Sequence, residues 1–147
     1  MDKPYLNLYY IARGFVEPGD VVVDAGCGCG YGTAILSSVA SKVIGIDRNE
    51  EMIDYAMKNY KESNNYFSVV NLDQLDRYPE CDVFVVIKVI EYLRFASSFL
   101  YKAGLSARKR VVLYEPNLPK GIELSHLGDQ WKYWTMGPLY IFTSENE

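Results

Sequence analysis

The chain has 147 residues, of which 49% are hydrophobic and 23% are charged, and its formal net charge is −4. This length and composition predict one folded domain, taken as residues 1–147, and exclude a disordered chain. The acidic balance excludes a general attraction to nucleic-acid phosphates, and no apolar run is long enough to cross a membrane. We find no signal peptide pattern and therefore expect a cytoplasmic protein.

The cysteine and histidine residues do not form a metal-binding pattern. Cys27 and Cys29 lie inside a glycine-rich stretch, Cys81 lies far from them, and His126 is the only histidine. This set provides no plausible group of four zinc ligands, so we expect no metal site. The odd number of cysteines indicates a reducing compartment, in which all three act as small side chains.

The N-terminal segment is predicted to form a helix. Residues 2–15 place apolar side chains at helical spacing, and Pro4 can occupy the first turn. We expect this amphipathic helix to lie over the edge of a sheet. The turn-forming residues 17–20 then lead into the first strand.

A strand that runs into a glycine loop dominates the sequence. Residues 21–33 read VVVDAGCGCGYGT, so a buried apolar strand is followed by four alternate glycines. Glycine has no Cβ, and the loop can therefore turn sharply, adopt positive φ and admit a ligand close to its backbone. Residues 31–40 follow as a helix whose first N–H groups favour an anionic ligand. This arrangement predicts a nucleotide-type pocket, although the glycines could also simply form a tight turn.

The spacing of the glycines distinguishes between nucleotide ligands. Dinucleotide-binding loops read G-x-G-x-x-G or G-x-G-x-x-A, and neither Gly26 nor Gly28 begins such a pattern. The stretch instead reads D-x-G-x-G-x-G, with Asp24 two residues before the first glycine. This motif resembles the first motif of the class I S-adenosylmethionine-dependent methyltransferases and disfavours a nicotinamide oxidoreductase.

The second strand also ends in an acid. Residues 42–47 form a short apolar run that ends at Asp47, and residues 49–61 follow as an amphipathic helix with Asn49 as its N-cap. A carboxylate about twenty residues beyond a glycine loop can accept two hydrogen bonds from a ribose diol. The alternative is that Asp47 only caps the following turn.

The third and fourth strands extend the resemblance. Residues 66–70 form the third strand, after which the methyltransferase family often has an acid that accepts a hydrogen bond from the adenine amino group. Asn71 occupies that place, with Asp73 two residues later, and the Asn71 amide oxygen can still accept. Residues 83–87 form the fourth strand. Residues 88–93 (KVIEYL) then resemble the family's fourth motif, near the transferred methyl group.

The remaining elements complete an alternating pattern. Residues 95–103 carry a helical stripe, which we expect Gly104 to end, and residues 110–115 form the fifth strand. The aromatic-rich residues 130–135 and 139–144 are predicted to form a hairpin.

This order of elements predicts the fold class. Alternating strands and helices require a largely parallel sheet with helices on both faces. The expected fold is α/β, a three-layer α/β/α sandwich with a mostly parallel seven-stranded sheet and a C-terminal antiparallel hairpin. The resemblance, which spans residues 5–142, implies the same architecture.

The resemblance also implies how S-adenosylmethionine is bound. The residues implied to contact the cofactor are Asp24, Gly26, Cys27 and Gly28 at its methionine part, Asp47 at the ribose, Arg48, Met52, Asn71 and Leu72 at the adenine, and Ile87 and Lys88 near the sulfonium. Tyr92, by contrast, is expected to lie in the core rather than against the cofactor.

The substrate side has two candidate residues. Lys88 could bind an anionic substrate, act as a base if it is desolvated, or simply be solvated. His126, within the turn-rich residues 118–128, could face the substrate or have no special role. No catalytic residue is predicted, because methyl transfer mainly requires that the nucleophile be held in line with the methyl group.

The motifs also restrict the methyl acceptor. The proline-containing signature of amino-directed DNA methyltransferases is replaced by residues 86–89 (VIKV), and the Pro-Cys nucleophile of the cytosine C5 enzymes is absent. We therefore predict an S-adenosylmethionine-dependent methyltransferase that acts on a small-molecule or protein acceptor by in-line displacement. The N-terminal helix, residues 118–128 or the second subunit of a homo-oligomer would close the site. The alternative is a catalytically silent domain that keeps the fold and acts as a binding or regulatory subunit.

Overall fold

Strands and helices alternate along the chain and are followed by two final strands. The structure, a computed structural model, describes residues 2–146. The elements in chain order are α1 (Leu6–Arg13), β1 (Val21–Ala25), α2 (Tyr31–Ser37), β2 (Lys42–Asp47), α3 (Glu50–Asn59), β3 (Asn65–Val69), β4 (Cys81–Ile87), α4 (Ala96–Ser106), β5 (Ala107–Tyr114), β6 (Trp131–Met136) and β7 (Leu139–Ser144). Two single-turn 3-10 helices lie at Ile90–Tyr92 and Leu124–Leu127.

The seven strands form one sheet in the order β3-β2-β1-β4-β5-β7-β6. The first five strands are parallel, and β7 pairs antiparallel with both β5 and β6. The register places Val22 of β1 opposite Val43 of β2 and Val83 of β4. The carboxyl ends of β1, β2, β4 and β5 therefore meet at one edge of the sheet. The predicted fold class is confirmed.

The two faces of the sheet are covered differently. Helices α1, α2 and α3 cover one face, with Tyr9 and Leu36 buried against Val22 and Val85. On the other face, α4 packs Phe99 and other apolar side chains against the sheet. Residues 70–80 contain no helix, and the chain between β5 and β6 has only one 3-10 turn. This second face consequently has a single full helix.

Helix α1 lies on the sheet face and not at the edge that the sequence predicted. It packs against α2, and Tyr9 and Ala12 are buried in the same cluster as strand residues of β1 and β4. The reason is that Tyr9 and Ala12 lie on one face of α1, and the layer beside α2 buries both side chains. The N-terminal segment is thus brought next to the carboxyl end of β1.

The sequence predicted that Gly104 ends α4, and this prediction is wrong. The helix continues to Ser106, and a Cβ placed on Gly104 would lie 1.9 Å from the carbonyl oxygen of Leu127. Glycine is required there because another backbone segment passes against the helix. Likewise, β4 begins at Cys81 and not at Val83, and its register with β5 is irregular between these two residues.

The basic run at residues 108–110 is part of an ordinary charged surface. The Arg108 Nε lies 3.1 Å from a carboxylate oxygen of Asp82, and the Lys109 Nζ lies 2.7 Å from one of Asp20. Such pairing leaves little free positive charge for a polyanion. Across residues 2–146, none of the helices is both long and apolar enough to cross a bilayer.

Candidate cofactor and acceptor site

The glycine loop after β1 is held tightly between two other segments. The backbone N–H groups of Gly26 and Cys27 donate hydrogen bonds of 2.8 and 2.9 Å to the carbonyl oxygen of Ile46. Gly26 has a φ of 76°, and a Cβ on it would lie 2.4 Å from Cγ2 of Val89. The first glycine is therefore required both by its backbone conformation and by the segment after β4.

Asp47, at the carboxyl end of β2, is anchored to this loop. Its Oδ2 accepts a hydrogen bond of 2.9 Å from the Gly28 N–H, and its Oδ1 accepts one of 2.9 Å from the Asn49 N–H. A carboxylate can accept about four hydrogen bonds, so both oxygens keep capacity for a ligand. Asn49 also caps α3, as predicted, by accepting from the Met52 N–H.

A pocket of about 220 Å³ opens beside Asp47 at the carboxyl edge of the sheet. Six of the predicted site residues line it: Gly26, Asp47, Arg48, Asn71, Leu72 and Lys88. Five further residues complete the lining: Val70, Asp73, Val89, Tyr92 and Leu93. The structure thus brings the ends of β1, β2, β3 and β4 together around one cavity.

Asp24 is not presented to this pocket. Its carboxylate is completely buried and accepts hydrogen bonds from the Tyr9 hydroxyl at 2.9 Å and the Thr33 hydroxyl at 2.8 Å. Burial raises the pKa of Asp24 to about 6, although both hydroxyl groups oppose that rise. Asp24 therefore lies beneath the loop and outside the pocket lining, and its contact with the cofactor stays a prediction.

Four other predicted contacts also lie outside the pocket lining. Cys27 and Ile87 are buried, and Met52 packs against the apolar layer of α1 and α2. Burial raises the pKa of the Cys27 thiol, which makes it an unreactive small side chain. Gly28 acts through its backbone N–H, which holds Asp47.

At Asn71, where the sequence resemblance predicts the adenine contact, the pocket has an amide instead of the acid that many family members have. Asn71 Oδ1 accepts a hydrogen bond of 3.0 Å from the Asp73 N–H. Both carboxylate oxygens of Asp73 accept from the N–H groups of Arg94 and Phe95, at 2.9 Å each. Asp73 therefore fixes the start of α4, and Asn71 remains the polar side chain closest in role to the family's acid.

Lys88 stands at the carboxyl end of β4 in an unusual backbone conformation. Its φ is 59°, the only positive φ among the described non-glycine residues, and its N–H donates a 2.8 Å hydrogen bond to the Tyr114 carbonyl. The Nζ contacts the Glu91 carboxylate and lies 3.9 Å from Oε2 of Glu115. The hydrogen bond to Glu91 raises the pKa of Lys88, so the lysine is neither a free cation nor a base.

Three functional candidates were missed by the sequence analysis: Glu91, Tyr92 and Glu115. The Glu115 side chain is fully buried, and its carboxylate accepts hydrogen bonds of 3.3 Å from the Glu91 and Asn117 N–H groups. Tyr92 is 60% exposed at the pocket and does not belong to the core, contrary to expectation. The pattern of an acid directly after a strand, already used for Asp47, could have identified Glu115.

His126 does not reach the pocket. It lies in the 3-10 turn Leu124–Leu127, where its Nδ1 accepts a 3.3 Å hydrogen bond from the Glu123 N–H. The next residue contacts Gly104 near the end of α4, which is on the side of the sheet where the parallel strands begin. His126 thus lies away from the pocket beside Asp47, and its substrate-side role stays a prediction. Within residues 2–146, no three His, Cys, Asp or Glu side chains form a group that could hold a metal ion.

Comparison with known proteins identifies the family. The family model described as a methyltransferase domain matches residues 22–111, which include the glycine loop, Asp47 and β4. The chain belongs to this methyltransferase domain family. The match confirms the resemblance to the class I enzymes. It also supports the prediction that S-adenosylmethionine is the cofactor.

Two curated methyltransferases share parts of the sequence. A probable S-adenosylmethionine-dependent methyltransferase of Mycolicibacterium smegmatis is 34% identical over 84 residues, which is 56% of this chain and 32% of that protein. A protein-L-isoaspartate O-methyltransferase of Methylorubrum populi is 29% identical over 56 residues, which is 38% of this chain and 26% of that protein. The matches thus cover about a third or less of the curated relatives.

Solved methyltransferase structures share the fold over nearly the whole chain. The N-methyltransferase NodS of Bradyrhizobium japonicum, in complex with S-adenosyl-L-homocysteine, has a TM-score of 0.77 at 14% identity, with 97% of this chain and 89% of that chain covered. A TehB-like methyltransferase of Corynebacterium glutamicum has a TM-score of 0.75 at 20% identity, with the same coverage. At these identities the likeness describes the architecture.

The pocket of this methyltransferase domain fits the cofactor by the chemistry of its lining. Asp47 offers carboxylate oxygens suited to a diol, and Gly26 brings the loop backbone to the pocket lining. Apolar side chains, among them Leu72 and Leu93, line the part of the cavity near Asn71. A carboxylate that can bind a diol, next to an apolar surface that can hold a flat ring, matches the two parts of a nucleoside.

Proposed function

We propose that the protein transfers a methyl group from S-adenosylmethionine to a small-molecule or protein acceptor by in-line displacement. The observation that carries the proposal is the anchored Asp47 carboxylate, which joins the glycine loop to the pocket wall through the Gly28 N–H. When bound, S-adenosylmethionine supplies a methyl group attached to a positively charged sulfur.

The residues of the chain have a positioning task in this reaction. Asp47 binds the ribose hydroxyl groups, Asn71 accepts from the adenine amino group, and Leu72 packs against the ring. The backbone at Lys88 closes the pocket at the carboxyl end of β4. Holding two reactants in line can supply much of a rate acceleration, so no strong base is needed for an acceptor that already has a free lone pair.

The acceptor enters from the side bordered by α1 and β5. Tyr5, just before α1, lies 6.2 Å from Tyr114 between ring centroids, and its N–H donates a 3.3 Å hydrogen bond to the Tyr31 hydroxyl oxygen. These contacts support the N-terminal helix as the element that covers the acceptor. A second subunit is the other means of closure, and the oligomeric state in solution distinguishes the two.

The test is calorimetric titration of the protein with S-adenosylhomocysteine, with NAD as the comparison ligand. We expect S-adenosylhomocysteine to bind and NAD not to bind. Asp47→Asn keeps the size of the side chain but removes the charge, and should weaken binding roughly 10- to 100-fold. Asp54→Asn, on the exposed side of α3, is the matched control and should leave affinity unchanged.

Unchanged affinity in Asp47→Asn would exclude the ribose assignment, and tighter binding of NAD would exclude the cofactor. Transfer of an isotopically labelled methyl group to any acceptor separates the enzyme from the alternative of a silent binding subunit. That alternative would be supported if S-adenosylhomocysteine bound tightly and no labelled product formed with any amine, hydroxyl, thiol or protein acceptor.

A further inference from the structure

We propose that the methyl acceptor is an amine, which the protein collects in its ammonium form on Glu91 and Tyr92 at the carboxyl ends of β4 and β5. This inference rests on the proposed methyl transfer and specifies its substrate. The residues that carry it are those around Lys88 that the sequence analysis had not singled out.

The charges of the pocket favour a cation. Around Lys88, one positive charge faces two carboxylates, Glu91 and Glu115. The charged side chains at the cofactor end are Asp47 and Asp73 against Arg48. Counted together, the four carboxylates of Asp47, Asp73, Glu91 and Glu115 outnumber the cations of Arg48 and Lys88, with Glu91 and Glu115 beside the pocket and outside its lining. This excess disfavours an anionic acceptor.

An ammonium group already occupies this surface within the protein. The Lys88 Nζ contacts the Glu91 carboxylate and lies 5.6 Å from the centroid of the Tyr92 ring. A carboxylate next to an aromatic face is a common binding site for alkylammonium groups. Because Tyr92 is 60% exposed, its ring remains accessible to a second ammonium group from the substrate.

Two further tyrosines lie near this segment. The Lys88 N–H donates a 2.8 Å hydrogen bond to the Tyr114 carbonyl oxygen, which holds the segment after β4 beside the end of β5. Tyr5 in turn packs near Tyr114, the last residue of β5. Tyr5 and Tyr114 therefore stand beside the segment that carries Glu91 and Tyr92.

The state of Glu91 argues against a hydroxyl acceptor. Hydrogen bonds from Lys88 and Tyr92 lower the pKa of Glu91, so the carboxylate is ionised at neutral pH and is a weak base. It cannot remove a proton from an alcohol, and the excess of carboxylates disfavours a phenolate. An amine needs no protein base, because its ammonium form exchanges one proton with water and a fraction of roughly one in a thousand is neutral at pH 7 for a pKa of about 10.

The transfer step is balanced with these residues. The ammonium group binds Glu91 and releases one proton to water, and the neutral amine keeps an N–H···O hydrogen bond to the carboxylate. Its nitrogen lone pair forms a bond to the methyl carbon while the carbon–sulfur bond breaks and leaves its electron pair on sulfur. The product is a methylated ammonium, which Glu91 still neutralises.

Glu115 is a positioning residue in this arrangement. Its side chain is fully buried, and its carboxylate accepts from the Glu91 N–H at 3.3 Å and lies 3.9 Å from the Lys88 Nζ. It acts on the acceptor only through these two neighbours. We therefore expect Glu115→Gln to reduce the preference for an amine over an alcohol of the same skeleton, which a purely structural role would not change.

The decisive test uses three probes with the skeleton of the lysine side chain: n-butylamine, 1-butanol and butyrate. Each is titrated into the protein saturated with S-adenosylhomocysteine, and NMR chemical shifts give the dissociation constants. We expect n-butylamine to bind at least about tenfold more tightly than the other two. Equal binding of the alcohol, or tighter binding of butyrate, would overturn the proposal.

Variants assign the binding to named side chains. Glu91→Gln and Tyr92→Leu should each weaken the binding of n-butylamine by roughly tenfold. Glu62 is an exposed carboxylate near β3, and Glu62→Gln should leave this binding unchanged. Lys88→Met removes the built-in ammonium and should strengthen n-butylamine several-fold. If Lys88→Met instead abolishes binding of butyrate without affecting n-butylamine, Lys88 is an anion site and the proposal fails.

Two readouts separate this inference from the function on which it rests. If the unaltered protein does not bind S-adenosylhomocysteine, both the proposed function and the amine inference are refuted. Retained cofactor binding without amine preference would remove only the inference. Where binding is seen, labelled methyl transfer to n-butylamine should rise about tenfold per pH unit below the amine pKa.

Discussion

The Tyr9 hydroxyl of α1 donates a 2.9 Å hydrogen bond to Oδ1 of Asp24, the acid that ends the apolar part of β1. Both side chains are buried, and the Thr33 hydroxyl of α2 donates to the other oxygen of the same carboxylate. The N-terminal helix, the first strand and the helix after the glycine loop are thus joined at one carboxylate. Disturbing any of the three should affect the loop that borders the pocket.

Tyr9→Phe tests the strength of this junction. The variant keeps the ring but leaves one oxygen of a buried carboxylate without its donor, so the free energy of unfolding should fall by about 1–3 kcal/mol. Urea unfolding measures the change. Tyr10→Phe, an exposed position on the same helix, is the matched control and should lie within about 0.5 kcal/mol of the unaltered protein. Equal effects of both variants would contradict the junction.

Asp24 predicts a specific pH dependence of stability. Its pKa in the folded protein is raised by burial to about 6 from an ordinary value of 3.8. A raised carboxyl pKa contributes stability below the unfolded pKa, and this contribution is lost as the pH rises from about 4 through 6.

Asp24→Asn isolates this effect from the other carboxyl groups. Between pH 4 and pH 7, the unaltered protein should lose about 2–3 kcal/mol of unfolding free energy relative to the Asp24→Asn variant. Urea unfolding at several pH values measures it. Parallel stability curves for the two proteins would show that Asp24 does not titrate in this range.

Gly26 and Gly121 form a matched pair for the glycine loop. Both have positive φ, 76° and 86°, but a Cβ at Gly26 would lie 2.4 Å from Val89 whereas Gly121 has open space around it. Gly121→Ala should cost only the backbone strain, roughly 1 kcal/mol. Gly26→Ala should reduce the free energy of unfolding by more than this. It should also weaken the binding of S-adenosylhomocysteine at least about tenfold, which calorimetry can measure. Similar effects of both variants would show that Val89 does not constrain the loop.

Gly104→Ala tests the contact between α4 and the segment before β6. Alanine favours a helix over glycine by about 1 kcal/mol, yet its Cβ would lie 1.9 Å from the Leu127 carbonyl oxygen. We expect a net loss of roughly 2–3 kcal/mol in thermal or urea unfolding. Gly19→Ala, with nothing within 4 Å, should be nearly neutral. A stabilised Gly104→Ala variant would mean that residues 124–127 readily move away.

The regular elements could be predicted because their signals are local. Apolar runs such as residues 21–23 and 83–87 are typical of strands buried on both faces, and each acid after a strand marks the carboxyl edge of the sheet. Asp47 was placed at the pocket by this reasoning. The terminal hairpin, with Gly137 at its turn, was likewise predicted from its turn residues and aromatic strands.

The remainder depends on contacts between distant segments. Gly104 was taken as a helix end because sequence alone does not show that Leu127 passes against it. Asp24 and Glu115 both follow apolar runs. The Asp24 carboxylate is buried away from the pocket because α1 packs over it. The Glu115 carboxylate is linked to the site because it lies near the Lys88 Nζ. Side-chain direction at a strand end is a tertiary property.

The position of β7 between β5 and β6 also constrains the order in which the sheet can form during synthesis. β6 is made before β7, yet β7 is its sole hydrogen-bonded neighbour in the sheet as described. Residues 131–136 can therefore gain their strand pairing only after residues 139–144 have been made. By contrast, β1 and β2, which hold the cofactor loop, are both complete by residue 47 and can pair with each other much earlier in synthesis.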